Sequence, residues 1–318
     1  MYHVRPPSGR SAAVTSGAGV LWVVATPIGN LDDLAPRAVA VLREADLVLA
    51  EDTRRTRGLL ARCGIDRPLV SHHRFNEAAG VSGLIERLRA GETIALVSDG
   101  GTPLVSDPGR RLVEAAHAAG IRVSPVPGPS AVTAALSVAG LPAERFVFAG
   151  FLPPRRAARR RALEELATVP MTLVFLEAPH RLAASLADME RVLGGDRPAV
   201  LCRELTKLHE EVVRAPLGEL AGRLASRDRI RGEIVLVVGG AAPGTARPAG
   251  PDRDERTLLE AWREALAAEQ GDARRALRRL ARALGRPRAE IKRRLDAARA
   301  GYEDGDPGDD GSPPRGQS

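Results

Sequence analysis

The sequence predicts an α/β protein: two consecutive α/β domains, then a small domain of helices. Three observations carry this. From Val20 short apolar runs alternate with amphipathic segments. After a Pro/Gly-rich passage from Pro127 to Pro142 the alternation resumes. Beyond a second such passage, Ala241 to Asp252, only helical periodicity remains. Strand–helix alternation marks a sheet covered by helices. The boundaries fall at 20–130 for the first α/β domain, 131–240 for the second, 241–252 for a linker and 253–300 for the helical domain, with 1–19 and 301–318 as disordered extensions.

The elements follow in order. "VLWVVAT" is a strand and "PRAVAVLREAD" a helix, with Pro36 allowed in its first turn. "LVLAED" is a strand, "GLIERLRAG" a helix, "TIALVSD" a strand, and "GRRLVEAAHAAG" a helix stopped by Gly120. "RVSPVPG" is a short strand and turn. In the second unit "RFVFAGFLP", "TLVFLEAP", "PAVLCREL" and "GEIVLVVGG" are strands, and "LAASLADMERVLGG" is a helix with a glycine stop. The third unit holds "RTLLEAWREALAAE", "ARRALRRLARALG" and "PRAEIKRRLDAARAG", three short helices.

Composition narrows the function. Apolar residues are 44% and charged residues 27% of 318, as in a globular chain with a sizeable core. Aromatics are 3%, so stacking platforms are not its main hold on nucleic acid. Net charge is +7 and the sequence pI about 10.4, which favours a polyanionic partner. From Arg253 to Ala300 there are 14 Arg/Lys against 8 Asp/Glu, and the tail after Gly301 is acidic. Cys63 and Cys202 have no metal or redox spacing and suit a reducing cytoplasm. No apolar run is long enough to span a membrane, and no signal peptide is expected.

Four strand ends open into loops of small and turn-forming residues: "TPIGNLDD" (Thr26–Asp33), "AEDTRRT" (Ala50–Thr56), "ALVSDGGTPLVSDPG" (Ala95–Gly109) and "VPGPSA" (Val126–Ala131). In an open α/β sheet, ligands bind beyond the carboxyl ends of the strands. Glycines there let a ligand approach bare backbone. Each loop alone is also an ordinary tight turn; four at successive strand ends point to one ligand crevice. Neither a dinucleotide-binding nor a P-loop signature is present.

The ordered motifs "TPIGNLDD", "AEDTRRT", "HHRFNE", "ALVSDGGTPLVSDPG", "PGPSA", "GFLP", "EAPHR", "RELTK" and "RGEIVLVV" resemble the rRNA ribose methyltransferases of the tetrapyrrole (corrin/porphyrin) methylase superfamily, from about Leu21 to Gly240. Gly100 stands where that pattern has Ala. The resemblance implies a fold of two α/β domains of the tetrapyrrole methylase type, with S-adenosylmethionine in the cleft between them. It implies 2′-O-methylation of a decoding-centre cytidine in 16S rRNA, within the small ribosomal subunit, by a cytoplasmic homodimer that needs neither metal nor membrane. A corrin or porphyrin methyltransferase and a non-catalytic assembly factor are the rival readings.

Site residues carried by the resemblance are these. Gly100, Gly101 and Thr102 would offer backbone to the cofactor, with Asp99 beside them, and Pro27, Ser130 and Ala131 would line its other side. Glu177, Arg203 to Leu205, Gly232 and Glu233 would close from the second domain. The substrate side would hold Asn30, Glu51, Asp52, Arg54, His73, Asn76, His180 and Arg181. Several have plainer alternatives: Asp99 and Asp107 as turn caps, the Glu51–Arg55 stretch as a solvated ion-pair cluster, Glu177 and His180–Arg181 as a helix cap.

"RELTK" carries the catalytic expectation, in Arg203, Glu204 and Lys207. A ribose 2′-OH is a poor nucleophile until its proton is handled. A lysine whose pKa is lowered by burial, oriented by a carboxylate, could take that proton, and an arginine could not. Lys207 and Lys292 are the only lysines in an arginine-rich chain. If the segment is helical, Glu204 orients Lys207; if extended, Glu210 or Glu233 must. The alternative is a fixed charge for RNA phosphate.

Overall fold

The computed structural model describes residues 19–74, 76–225, 230–242, 251–284 and 287–303. Of the expected disordered extensions, residues 1–18 and 304–318 lie outside the described residues, as does most of the expected linker; residues 301–303, expected in the tail, instead continue the last helix.

The first sheet is made of β1 (Val20–Val24), β2 (Leu47–Ala50), β3 (Leu69–Ser71), β4 (Ile94–Leu96) and β5 (Arg122–Val126), in the order β3-β2-β4-β1-β5. Every pairing is parallel. Between the strands run α1 (Pro36–Glu44), α2 (Thr53–Arg62), α3 (Glu77–Arg89) and α4 (Arg110–Ala118). The pleat sends successive residues to opposite faces. Val48 and Ala50 pack with Ala38, Leu42 and Leu60 on one face; Leu47 and Leu49 pack with Leu88, Leu112 and Ala116 on the other. β2 and β4 are buried throughout, as a sheet covered on both faces requires. All five strands point the same way, so all four loops, three of them glycine-bearing, emerge at one edge.

The helix α5 (Ala131–Ala139), ended by Gly140 in a left-handed conformation, leads into the second sheet. That sheet contains β6 (Phe146–Phe151), β7 (Thr172–Glu177), β8 (Pro198–Arg203), β9 (Glu211–Pro216) and β10 (Ile234–Val238), in the order β6-β7-β10-β8-β9. It is mixed: only β6 and β7 pair parallel. Its helices are α6 (Arg156–Leu166), α7 (Leu182–Leu193) and α8 (Leu217–Ala225). Leu173, Phe175, Leu201 and Leu236 face these three. Val174, Val200, Val235 and Val237 face α5 through Val132, Ala135 and Leu136.

A separate unit contains α9 (Pro251–Ala268), α10 (Ala273–Ala283) and α11 (Arg288–Glu303). Leu258, Trp262, Ala276, Leu280, Ile291 and Leu295 form its core. Asp272 caps α10 by accepting from the N–H groups of Arg274 and Arg275.

Candidate active site

The loops at the edge of the first sheet are tied to one another through backbone. Thr26 and Gly101 exchange both N–H···O=C bonds, each 2.9 Å, and Thr26 Oγ1 donates to the Ser98 carbonyl. Thr102 Oγ1 donates to the Pro129 carbonyl at 3.1 Å. The Asp52 N–H donates to Asp99 Oδ1 at 2.8 Å, and Arg55 pairs with Asp99 Oδ2 at 3.8 Å. Gly101 sits at φ +88°, where a side chain is strained, and a Cβ on Gly128 would press on Ala25 at 3.1 Å. Gly101 is correspondingly a spacer: its N–H and C=O are already spent on Thr26. "AEDTRRT" is a shorter loop than the sequence suggests, because Thr53 opens α2 with Asp52 as its cap.

A cavity of about 400 Å³ lies against these loops. Its walls include Asp99, Gly100, Gly101, Thr102, Ser130 and Ala131 from the first loops and α5, and Glu177, Leu205, Gly232 and Glu233 from the second sheet. Pro27 is not on the wall; its carbonyl backs Gly100, 3.2 Å from where a Cβ would stand. Ile28, Val105, Ser106, Val132, Phe151 and Leu176 complete much of the lining and were not among the expected residues. Asp107 lines it too. Burial pushes its carboxyl up to about 6, and the charges of Glu51 and Asp99 add to this against a hydrogen bond from Ser98. Burial likewise raises Glu51, with Asp99 adding. Burial pushes the Cys202 thiol up to about 11, so it packs rather than reacts.

The segment after β8 is neither helix nor strand. Glu204 (φ +52°) and Thr206 (φ +65°) are left-handed, and the Lys207 N–H donates to the Glu204 carbonyl in a tight turn. That turn places Lys207 Nζ 2.8 Å from Glu204 Oε1 and 3.2 Å from Glu233 Oε2. Two glycines make room. A Cβ on Gly29 would overlap Lys207 Cγ, and one on Gly232 would overlap Glu204. The Asn30 N–H donates to Thr206 Oγ1 at 3.0 Å, so the first loop and this turn touch directly.

The electrostatics of Lys207 differ from the sequence expectation. Burial pulls its ammonium down, but the hydrogen bonds and charges of Glu204 and Glu233 outweigh burial and hold its pKa above the ordinary lysine value. Glu204 is held below the usual carboxylate range, first by its hydrogen bond from Lys207. Lys207 is therefore an ammonium clamped between two carboxylates.

Other expected residues have structural partners. Arg203 is not on the cavity wall; Nε donates to Glu211 Oε2 at 2.8 Å and it also reaches the Arg231 carbonyl, pinning the β8–β9 turn. Glu177 is buried and accepts from the Ala178 N–H, Arg181 and Ser185, so Arg181 neutralises it rather than facing a substrate. Asn76 ties its own loop, accepting from the His73 N–H and donating to the Ser71 carbonyl. Glu77, directly after Asn76, caps α4 by accepting from the Gly109 and Arg111 N–H groups. Asn30 Oδ1 caps the short 3₁₀ turn Leu31–Asp33. Arg54 and His180 are exposed, and Asp52 accepts from the Arg54 N–H. Among the described residues no three His, Cys, Asp or Glu side chains group as a metal site, and no helix is long and apolar enough to cross a membrane.

A family model described as Tetrapyrrole (Corrin/Porphyrin) Methylases matches residues 20–221. The chain belongs to this family. This methylase is 52% identical over 246 residues to the ribosomal RNA small subunit methyltransferase I of Xylella fastidiosa (strain Temecula1 / ATCC 700964), covering 77% of this chain and 90% of that one. It is 56% identical over 228 residues to the protein of the same name from Pseudomonas aeruginosa, covering 71% and 81%. The crystal structure of a diphthine synthase shares the fold, with a TM-score of 0.55, 19% identity, and coverage of 70% of this chain and 89% of that one. The methylase is a methyltransferase, with S-adenosylmethionine as its methyl donor. The cavity fits that donor. Its size is that of a cofactor site, the bare backbone of Gly100 and Gly101 stands on its wall, and Asp99, Asp107 and Glu233 suit a ligand bearing positive charge.

Proposed function

We propose that the methylase modifies 16S rRNA by 2′-O-methylation of the ribose of a decoding-centre cytidine, in the small ribosomal subunit. The observation that carries this is the identity above one half, over 246 and 228 residues, to proteins named ribosomal RNA small subunit methyltransferase I. The separate helical unit supports an RNA substrate over a corrin or porphyrin. On α10, Arg274, Arg275, Arg278, Arg279 and Arg282 lie away from the buried Ala276, Leu280 and Ala281, giving one basic face for phosphates. The resemblance is the ground for a cytoplasmic homodimer.

When bound, S-adenosylmethionine supplies an electrophilic methyl group. The residues placed to hold it are Asp99 to Thr102 and Ser130 to Val132 on one side, and Leu205 and Gly232 on the other. The chain's remaining work is to position the ribose hydroxyl and handle its proton. The clamped ammonium is poorly suited to accept a proton. Glu233, whose side chain is 69% exposed and which lines the cavity, is the better acceptor, with Lys207 fixing its orientation. In this reading Lys207 serves as a charge that positions rather than as the general base.

The test is mass spectrometry of 16S rRNA from a strain deleted for the gene. Loss of one ribose methyl, restored by the purified protein and S-adenosylmethionine, is expected. An unchanged rRNA, with methylation of a tetrapyrrole instead, overturns the reading. A protein that gives no calorimetric heat with S-adenosylmethionine would be an assembly factor.

A further inference from the structure

We infer that Phe151 is the stacking platform for the base of the nucleotide whose ribose is methylated, an inference that rests on the RNA-methylation reading above. The observation is a register break. Along β6, Val147 and Ala149 face the α6–α8 core, while Phe148 faces the α5 side. Strict alternation would put Phe151 with Val147 and Ala149, buried under helices. The β6–β7 pairing shifts between Phe148 and Gly150, and Gly150 takes φ +61°. A bulge of this kind re-aims the following side chains. Leu152 enters the α6–α8 core in place of Phe151, and Phe151 lines the cavity with its surface 55% exposed.

The neighbourhood matches a nucleotide. Gly150 lies over the turn at Ser106: a Cβ there would stand 3.4 Å from Ser106 Oγ. Val105 of the same turn is 38% exposed and also lines the cavity, so ring and aliphatic group share one lip. Four and five residues on, Arg155 and Arg156 are exposed at the start of α6. Arg156, at 3.4 Å, converges with Arg159 and Arg160 on the buried Asp188, so a single carboxylate offsets three guanidinium groups and the surface stays positive. A nucleotide splayed from its stack to bring its ribose hydroxyl into the cavity leaves its base in need of a new π-face. With aromatics at 3% of the chain, the arginines supply the general hold and one ring receives the base.

The test uses small ribosomal subunits from the deletion strain, with the full-length protein as Phe151→Ala, Phe151→Leu and Phe151→Tyr. In the Ala and Leu variants kcat/KM for the subunit should fall about tenfold or more, mainly through KM, with Tyr near wild type. Calorimetric affinity for S-adenosylmethionine and the melting temperature should not change. Undiminished methylation by the Ala variant overturns the inference. So does Leu working as well as Tyr, which would make the site merely apolar, and so does weakened S-adenosylmethionine affinity, which would place the ring in the donor's site. A wild-type protein that methylates no rRNA overturns the underlying reading instead, and the two failures are seen in different proteins.

Discussion

The two sides of the cavity are built by opposite means. On the first domain, the loop-to-loop hydrogen bonds use backbone on at least one side: Thr26 and Gly101 pair backbone to backbone, the Thr102 hydroxyl donates to the Pro129 carbonyl, and the Asp52 N–H donates to the Asp99 carboxylate. On the second domain, charges hold a turn: Lys207 between Glu204 and Glu233, and Arg203 on Glu211, with Glu204 and Thr206 in left-handed backbone. The first wall offers a methyl donor a shape set by hydrogen-bonded loops together with the carboxyls of Asp99 and Asp107. On the function proposed above, the second wall is where a ribose hydroxyl would lose its proton, and its ionisable groups are forced into place. Non-glycine residues at positive φ persist only where surrounding contacts over-determine them.

Placing a side chain between the two walls should have the largest effect. Gly29→Val drives a Cβ into Lys207 Cγ and within 2.7 Å of Thr206 Oγ1. A displacement of this order costs on the order of 10²-fold in turnover. Single-turnover methylation should show it while the first domain's core, followed by hydrogen exchange, stays protected. Equal rates would mean the turn is adaptable and the contrast false.

Next comes the charged wall itself. Glu233→Gln should lower turnover on the order of 10²-fold with little change in subunit affinity, while Lys207→Arg, which keeps the charge, should lose far less. The reverse ranking would return the base role to Lys207. A pH–rate profile would sharpen the result, since loss of a carboxylate base removes the acidic limb.

Asp107 reports on the first wall through stability. Its carboxyl titrates near 6 when folded and near its ordinary value, 3.8, when unfolded. Between those values the folded state holds a proton that the unfolded state has lost, so stability falls as pH rises through the window and stays low above it. Asp107→Asn should therefore add about 1–2 kcal/mol at pH 7.5, after allowance for solvent screening, and little at pH 4. Chemical denaturation at the two pH values checks the sign. The smallest effect is Thr102→Val, which removes one hydrogen bond to Pro129 and should cost about 1 kcal/mol. It should leave turnover intact if the backbone wall is redundant.

The same contrast decides what was legible in the sequence. Runs such as "VLWVV" and "LVLA", and the turn residues after them, are local signals, so four of the first sheet's five strands follow from the text; the three-residue β3 and the arginine-rich α2 do not. The alternating "EVVRAP" escaped notice: β9 is an edge strand with Val212 41% exposed, and its pattern is weak. The environment of Lys207 was legible only as alternatives, Glu204 or a more distant Glu210 or Glu233, whereas the turn brings Glu204 and Glu233 together. Glu233 is far away in sequence, and only the insertion of β10 between β7 and β8 brings it to the turn. Arg203, Arg181 and Asn76 look functional as letters, yet each has a buried or backbone partner that only folding reveals. Phe151 is the sharpest case, because a bulge reverses the face that simple alternation assigns.

The helix α5 belongs to both sides at once. Its first residues, Ala131 and Val132, touch the cavity, while Val132, Ala135 and Leu136 are packed into the second sheet. Its entry is fixed to the first domain, where the Pro129 carbonyl accepts from Thr102 and Gly128 passes so close to Ala25 that a Cβ would stand 3.1 Å from it. A helix moves as a rigid rod. Any rotation of the second sheet about that anchored entry must sweep the helix's first turn along the cavity wall. The volume of the cavity and the angle between the two sheets are thus a single mechanical coordinate: a molecule that fills the one sets the other.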